Sequence, residues 1–124
     1  MITDILITLI LMVINMKHKY GEFSAQQIKQ TKQSIRKSIF FLLLYVDPKT
    51  KQEYEDVNVN KAFDGLLHRL GGMNDILLYP PELVTVISLL QEAWIEFNKE
   101  DFDFGVYRKL ILDAGAETDK IKEV

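Results

Sequence analysis

The chain has 124 residues, of which 48% are hydrophobic and 27% charged, so it is long enough to bury a core and too apolar for wholesale disorder. It has no cysteine, which excludes thiol catalysis, disulfides and cysteine-ligated zinc or iron–sulfur clusters. The 15 Lys and Arg against 18 Asp and Glu give a net charge of −3, which is not the balance of a nucleic-acid-binding protein. We expect one domain over 1–124, since no Pro- or Ser-rich linker divides the chain.

The charges are unevenly distributed along the chain. Residues 1–37 hold six basic and two acidic side chains, a sum of +4, whereas 38–124 hold nine basic and sixteen acidic, a sum of −7. Opposite signs favour docking of the N-terminal part on the C-terminal part, within one protomer or between two. Each exposed pair contributes only about 0–1 kcal/mol and is screened by salt, so the asymmetry predicts orientation more than stability.

Residues 2–16 form the most apolar stretch of the chain. The stretch is shorter than the roughly 20 residues that a membrane-spanning helix needs, and positive charge follows it, whereas a secretory signal has positive charge before its apolar run. In a helix, Asp4, Thr8 and Asn15 share one narrow polar face, which predicts a helix buried on nearly all sides. Three roles are compatible with this helix: it packs in the chain's own core, packs against a second copy, or forms a short membrane anchor. Its β-branched residues also allow a buried strand. The candidate stripe for self-association, here called the N-terminal stripe, consists of Ile5, Leu9, Met12 and Met16.

The next predicted helix spans 25–46. Ser24 begins a capping-box pattern completed by Gln27, and Asp47-Pro48 ends the helix, because the residue before a proline disfavours helical dihedral angles. Apolar residues recur on one face at helical spacing, namely Ile28, Ile35, Ile39, Leu42 and Val46. Residues 47–58 are rich in turn formers and predict a short hairpin or an exposed loop.

Two amphipathic helices follow at 59–71 and 81–98. We expect Asn58 or Asn60 to cap the first, and Gly71-Gly72 to end it. Asn74 is a candidate cap for one further turn before the two prolines, and Pro81 occupies the first position of the helix at 81–98. On the helix at 81–98 we expect one face to be buried, namely Leu83, Val86, Ile87, Leu90, Trp94 and Phe97. The opposite face, with Thr85, Ser88, Glu92 and Glu96, is expected to face solvent.

The acidic residues Glu100, Asp101 and Asp103 predict the start of a final helix, because negative charge is favourable at a helix N-terminus. We expect this helix to end at Gly115 and to leave 115–124 as a frayed or short helical tail. The fold class is therefore all-α, a helical bundle of five to six helices in a single domain, with the hairpin or loop at 47–58.

No catalytic or metal site is predicted from the histidines and acidic residues, which are the side chains that most often form such sites. His18 lies between lysines that disfavour metal binding, and His68 has only Asp64 four residues away. The acids of Asp101–Gly105 have calcium-loop spacing, but Leu112 stands where that loop needs its final Glu, so helix capping explains them better. No nucleotide-binding, metalloprotease or nucleophile-elbow motif occurs. We expect neither enzyme activity nor a cofactor or metal.

A basic stripe is the strongest candidate for a partner-binding or nucleic-acid-binding face. It consists of Lys29, Lys32, Arg36 and Lys37, and no acidic residue occurs between 25 and 46. Three alternative roles fit such a stripe. It is simply a solvated face, or it docks an acidic partner or the acidic C-terminal half, or it contacts nucleic-acid phosphates. A helix-turn-helix is not predicted, since the later helices lack a basic recognition surface.

These patterns predict a non-catalytic, cytoplasmic helical interaction or assembly protein that binds a protein partner or a second copy of itself as a homo-oligomer. The motivation is the apolar character of 2–16 and 39–46 on every side, because large exposed apolar faces are unusual in monomers. One alternative is a nucleic-acid-associated regulator that uses the basic segment 17–37. The other is a membrane-associated accessory protein anchored by 1–16.

Overall fold

The structure, a computed structural model, describes residues 21–121, with the side chains of 26–75 and 77–121. This part of the chain contains four α-helices and one 3₁₀ turn and has no strand, which confirms the all-α class. Four helices in 21–121 do not match the predicted five to six; the helix predicted at 2–16 lies outside the described residues. The helices are α1 (Gly21–Leu44), α2 (Val59–Ile76), α3 (Pro81–Phe97) and α4 (Phe104–Asp119), and the 3₁₀ turn is Lys51–Tyr54.

The four helices form a bundle around one apolar core. Helix α4 packs most extensively, against α3 and α1, and α2 completes the arrangement by packing against α3 and α1. The predicted stripe of α1 supplies Ile35, Ile39 and Leu42, which are all buried. Tyr107 of α4 is also fully buried, and its ring lies 5.7 to 6.4 Å, between centroids, from four phenylalanine rings. Those rings belong to Phe63, Phe97, Phe102 and Phe104.

Helix α1 is longer at its start than predicted. It includes Gly21, so Ser24 lies inside the helix and is not its N-cap. At the other end, Thr50 Oγ1 donates to the carbonyl of Leu44 at 2.6 Å, and Tyr54 packs against Tyr45 with ring centroids 5.2 Å apart. The connection at 47–58 contains a 3₁₀ turn and no strand, so it is the predicted loop and the hairpin alternative is wrong.

The prediction that Gly71 and Gly72 end the helix at 59–71 is wrong. Helix α2 continues to Ile76, and none of the glycines in the described residues has a positive φ. The left-handed residues are instead Leu78 and Tyr79, at φ 62° and 58°, directly before Pro80. Glycine costs a helix only about 1 kcal/mol, whereas a proline removes a backbone donor and restricts the residue before it. The prolines therefore end α2, and the turn predicted at Asn74 belongs to the same helix.

Three of the predicted helix starts are confirmed. Asn58 caps α2 by accepting from the Lys61 backbone N–H at 3.1 Å, and Pro81 is the first residue of α3. Asp103 caps α4, because its Oδ1 accepts from the backbone N–H groups of Gly105 and Val106 at 2.8 and 3.3 Å. The acids before α4 therefore include a helix cap, as their position predicts.

The predicted end of the last helix at Gly115 is wrong, because α4 continues to Asp119. Thr118 is fully buried and Ile121 is 5% exposed, so residues beyond Gly115 contribute to the core. The Thr118 hydroxyl is satisfied inside the helix by donating to the Ala114 carbonyl at 2.9 Å. Burial of these side chains outweighs the low helix propensity of glycine, and 115–121 is an ordered part of the bundle.

We expect Asp103→Ala to lower the free energy of unfolding by about 1 kcal/mol, because two backbone N–H groups at the start of α4 lose their acceptor. The matched control is Asp101→Ala, an exposed acid two residues earlier, which we expect to change stability by less than about 0.5 kcal/mol. Urea denaturation of both variants measures the difference. Equal destabilisation by the two changes would contradict the capping role.

Candidate functional site

Helices α1 and α4 run antiparallel and are joined near both ends of α4. From the middle of α1, Lys32 Nζ donates to the carbonyls of Asp119 and Ile121 at 3.1 and 2.7 Å. Near the end of α1, the Tyr107 hydroxyl donates to the carbonyl of Leu42 at 2.5 Å. Both interactions satisfy carbonyls at or just beyond a helix C-terminus, which the helix itself leaves without donors.

A groove lies on the outer side of this helix pair and has a volume of about 490 Å³. We call it the α1–α4 groove, and its lining residues are Arg36, Lys37, Phe40 and Leu43 of α1 and Ile111, Leu112, Gly115, Ala116 and Asp119 of α4. Leu43 and Ile111 are buried, whereas Phe40 is 54% exposed and Leu112 is 42% exposed. The groove therefore presents two large apolar side chains to solvent above a buried apolar floor.

The chemistry of the lining suits binding. Gly115 and Ala116 carry little side chain, so another chain can approach the backbone of α4 closely. The charged residues at the edge are Lys37 and the pair Arg36–Asp119, whose Nη1 and Oδ2 atoms are 3.2 Å apart. An apolar centre with an arginine at its edge has the composition typical of a protein–protein interface. No nucleophile paired with a general base occurs among the lining residues.

The structure divides the predicted basic stripe into two parts. Lys32 and Arg36 contact the C-terminal end of α4, so part of the stripe docks on the acidic half of the same chain, one of the roles considered for it. Lys29 and Lys37 are exposed, and Lys37 lies at the groove. The four cations therefore do not form one uniform solvent-facing row. The other predicted set, the N-terminal stripe (Ile5, Leu9, Met12 and Met16), lies outside the described residues.

The remaining candidates take local structural roles. His68 is exposed on α2, and its Nδ1 lies 3.4 Å from Asp64 Oδ1 and 3.0 Å from the Asp64 carbonyl. Within 21–121, no group of three or more His, Cys, Asp or Glu side chains is arranged to hold a metal ion. His18 lies outside the described residues.

Two polar clusters were not predicted from the sequence. Glu96, expected on the solvated face of its helix, is only 5% exposed, and it accepts from the Asp103 backbone N–H at 3.3 Å and pairs with Lys99 at 3.0 Å. This contact raises the pKa of Lys99, because the carboxylate stabilises the charged ammonium. Asn60, considered as a cap, instead accepts from Trp94 Nε1 at 2.7 Å and Asn98 Nδ2 at 3.0 Å. Both clusters join residues that are distant in sequence or separated by a loop, so helical periodicity carries no signal for them.

Comparison with known proteins adds no relationship: the chain matches no protein-family model, no curated protein and no solved structure. Across 21–121, none of the helices combines the length and the apolar character required to cross a membrane.

We expect Lys32→Met to destabilise the protein by about 1–2 kcal/mol, because charge-assisted hydrogen bonds to the end of α4 are lost while the aliphatic stem is kept. Hydrogen exchange at 116–121 should accelerate in the same variant, since this helix end loses its anchor. Lys29→Met is the control, because Lys29 is exposed on the same helix, and we expect it to change stability by less than about 0.5 kcal/mol. Unchanged exchange at 116–121 in Lys32→Met would contradict the anchoring role.

We expect Tyr107→Phe to cost about 1–3 kcal/mol at neutral pH, because the variant lacks the donor to the Leu42 carbonyl. Burial raises the pKa of Tyr107 well above its ordinary value of 10.0. Above pH 10 the unfolded chain releases a proton that the folded chain retains, so the stability of the original protein falls as pH rises. The difference in free energy of unfolding between the original protein and Tyr107→Phe should therefore narrow above pH 10. Urea denaturation at several pH values measures this difference, here called the gap. A gap that stays constant from pH 8 upwards would show that Tyr107 is not responsible for this loss.

Proposed function

We propose that this chain is a non-catalytic, cytoplasmic interaction protein that binds protein through the α1–α4 groove and associates with a second copy of itself. The observation that supports this most directly is the exposure of Phe40 and Leu112 on facing helices above a buried apolar floor. A helix at 2–16, which would be the fifth of the chain, is part of the proposal.

The energetic argument rests on these two side chains. Full burial of a leucine or phenylalanine contributes about 1.5–3 kcal/mol, and residues of this kind in a pocket act as anchors of an interface. Other large apolar side chains are exposed on the bundle, including Ile95 on α3, but Ile95 does not line the groove. Phe40 and Leu112 differ from Ile95 because they share one concave surface.

The nucleic-acid alternative has less support. Affinity for a phosphate backbone grows with the number of cations that contact phosphates. Lys32 is half-buried and donates to the end of α4, and Arg36, although exposed, is paired with Asp119, which leaves Lys29 and Lys37 as the exposed cations outside these contacts. The membrane alternative depends on residues 1–16, which lie outside the described part of the chain.

We expect size-exclusion chromatography with light scattering to show a dimer at micromolar concentrations. Phe40→Asp should weaken association at least tenfold, because a charged group would replace an apolar anchor and lose solvation on binding. Ile95→Asp is the matched control, since Ile95 is 63% exposed outside the groove, and it should leave the dimer intact. Circular dichroism checks that both variants fold.

A monomer at all concentrations would overturn the self-association part of the proposal. Equal weakening by Phe40→Asp and Ile95→Asp would overturn the assignment of the groove as the binding surface.

A further inference from the structure

The length of the α1–α4 groove limits what it can hold. Its lining extends over 36–43 of α1 and 111–119 of α4. At 1.5 Å per residue these stretches are about 10–12 Å long, so the groove accommodates about two turns of a docked helix. An occupant needs an apolar stripe of that length on one face.

The N-terminal stripe of this chain has that length and character. In a helix, the form predicted from the sequence, Ile5, Leu9 and Met12 lie on one face and extend over about 10 Å. Methionine adapts its shape to irregular apolar surfaces, which suits a groove with both large and small lining residues. The single charged residue of 2–16 is Asp4, so the rest of the segment brings no charge into the apolar groove.

The connection to α1 keeps this stripe from filling the groove of its own chain. With Met12 beside Arg36, Met16 would lie beside residue 32, which is about 16 Å along α1 from Gly21. The interhelical distance of 8–10 Å is perpendicular to this, so the straight-line span required is about 18–19 Å. The five steps from Met16 to Gly21 reach at most about 18 Å, with no residue left to reverse the chain direction. A second copy is not restricted by this tether.

We propose that the α1–α4 groove of one protomer binds residues 2–16 of a second copy, with Ile5, Leu9 and Met12 against Phe40 and Leu112. In a symmetric pair each protomer supplies one segment and one groove, so both grooves are filled reciprocally. This inference rests on the proposed self-association and names the segment that produces it.

The absence of cysteine allows a direct test by cross-linking. Leu9→Cys and Leu112→Cys are prepared as separate proteins, mixed, and treated with a short bis-maleimide. We expect peptide mapping to identify a linkage between positions 9 and 112 of different chains. The matched control mixes Leu9→Cys with Ile95→Cys, an exposed apolar position outside the groove, and should give several-fold less linkage.

The outcomes separate this inference from the proposed function. A dimer in light scattering without 9–112 linkage above the control would overturn the segment exchange and leave self-association standing. A monomer would overturn both. Linkage within single chains of the Leu9→Cys/Leu112→Cys double variant, with none in the mixture, would show that the segment folds back on its own groove and would also overturn the exchange.

Discussion

The pairing of α1 with α4 is the constraint on which the rest of this bundle depends. The two contacts at its ends have the same physical basis, since each supplies a side-chain donor to carbonyls that a helix C-terminus leaves unsatisfied. Lys32 does this for the end of α4, and the buried hydroxyl of Tyr107 does it for the end of α1. Because the contacts lie at opposite ends of α4, they set both the register and the separation of the two antiparallel helices. The groove between them is a consequence of that geometry.

The same contacts explain how charge is used along α1. A cationic helix next to an acidic C-terminal half allows attraction within one chain, and Lys32 and Arg36 realise it at Asp119. The Arg36–Asp119 pair is exposed and contributes little stability, so the main effect is to hold both cations against the end of α4. The surface that remains beside them is apolar, centred on Phe40 and Leu112. This combination is better suited to contact with protein than with a phosphate backbone.

Polar side chains also join neighbouring helices and the turns between them. Glu96 accepts from the backbone N–H of Asp103, the residue that in turn caps α4, so the turn between α3 and α4 is held at two successive points. Asn60 accepts from Trp94 and Asn98 and thereby joins the start of α2 to the end of α3. Glu96 is buried and would be costly without its partners, whereas Asn60 is exposed, and both contacts position the elements that they join.

The sequence by itself determined the all-α class, the core stripe Ile35, Ile39 and Leu42, and the acidic start of α4, because helical periodicity and capping depend on residues within one or two turns. Tertiary structure decided that α2 passes through Gly71-Gly72 and α4 through Gly115, since a local preference of about 1 kcal/mol yields to burial of neighbouring side chains. It also decided that Glu96 is buried and that Phe40 meets Leu112 across a groove. Phe40 and Leu112 are far apart in the chain and Glu96 reaches Asp103 across a turn, and no local pattern encodes which elements become neighbours.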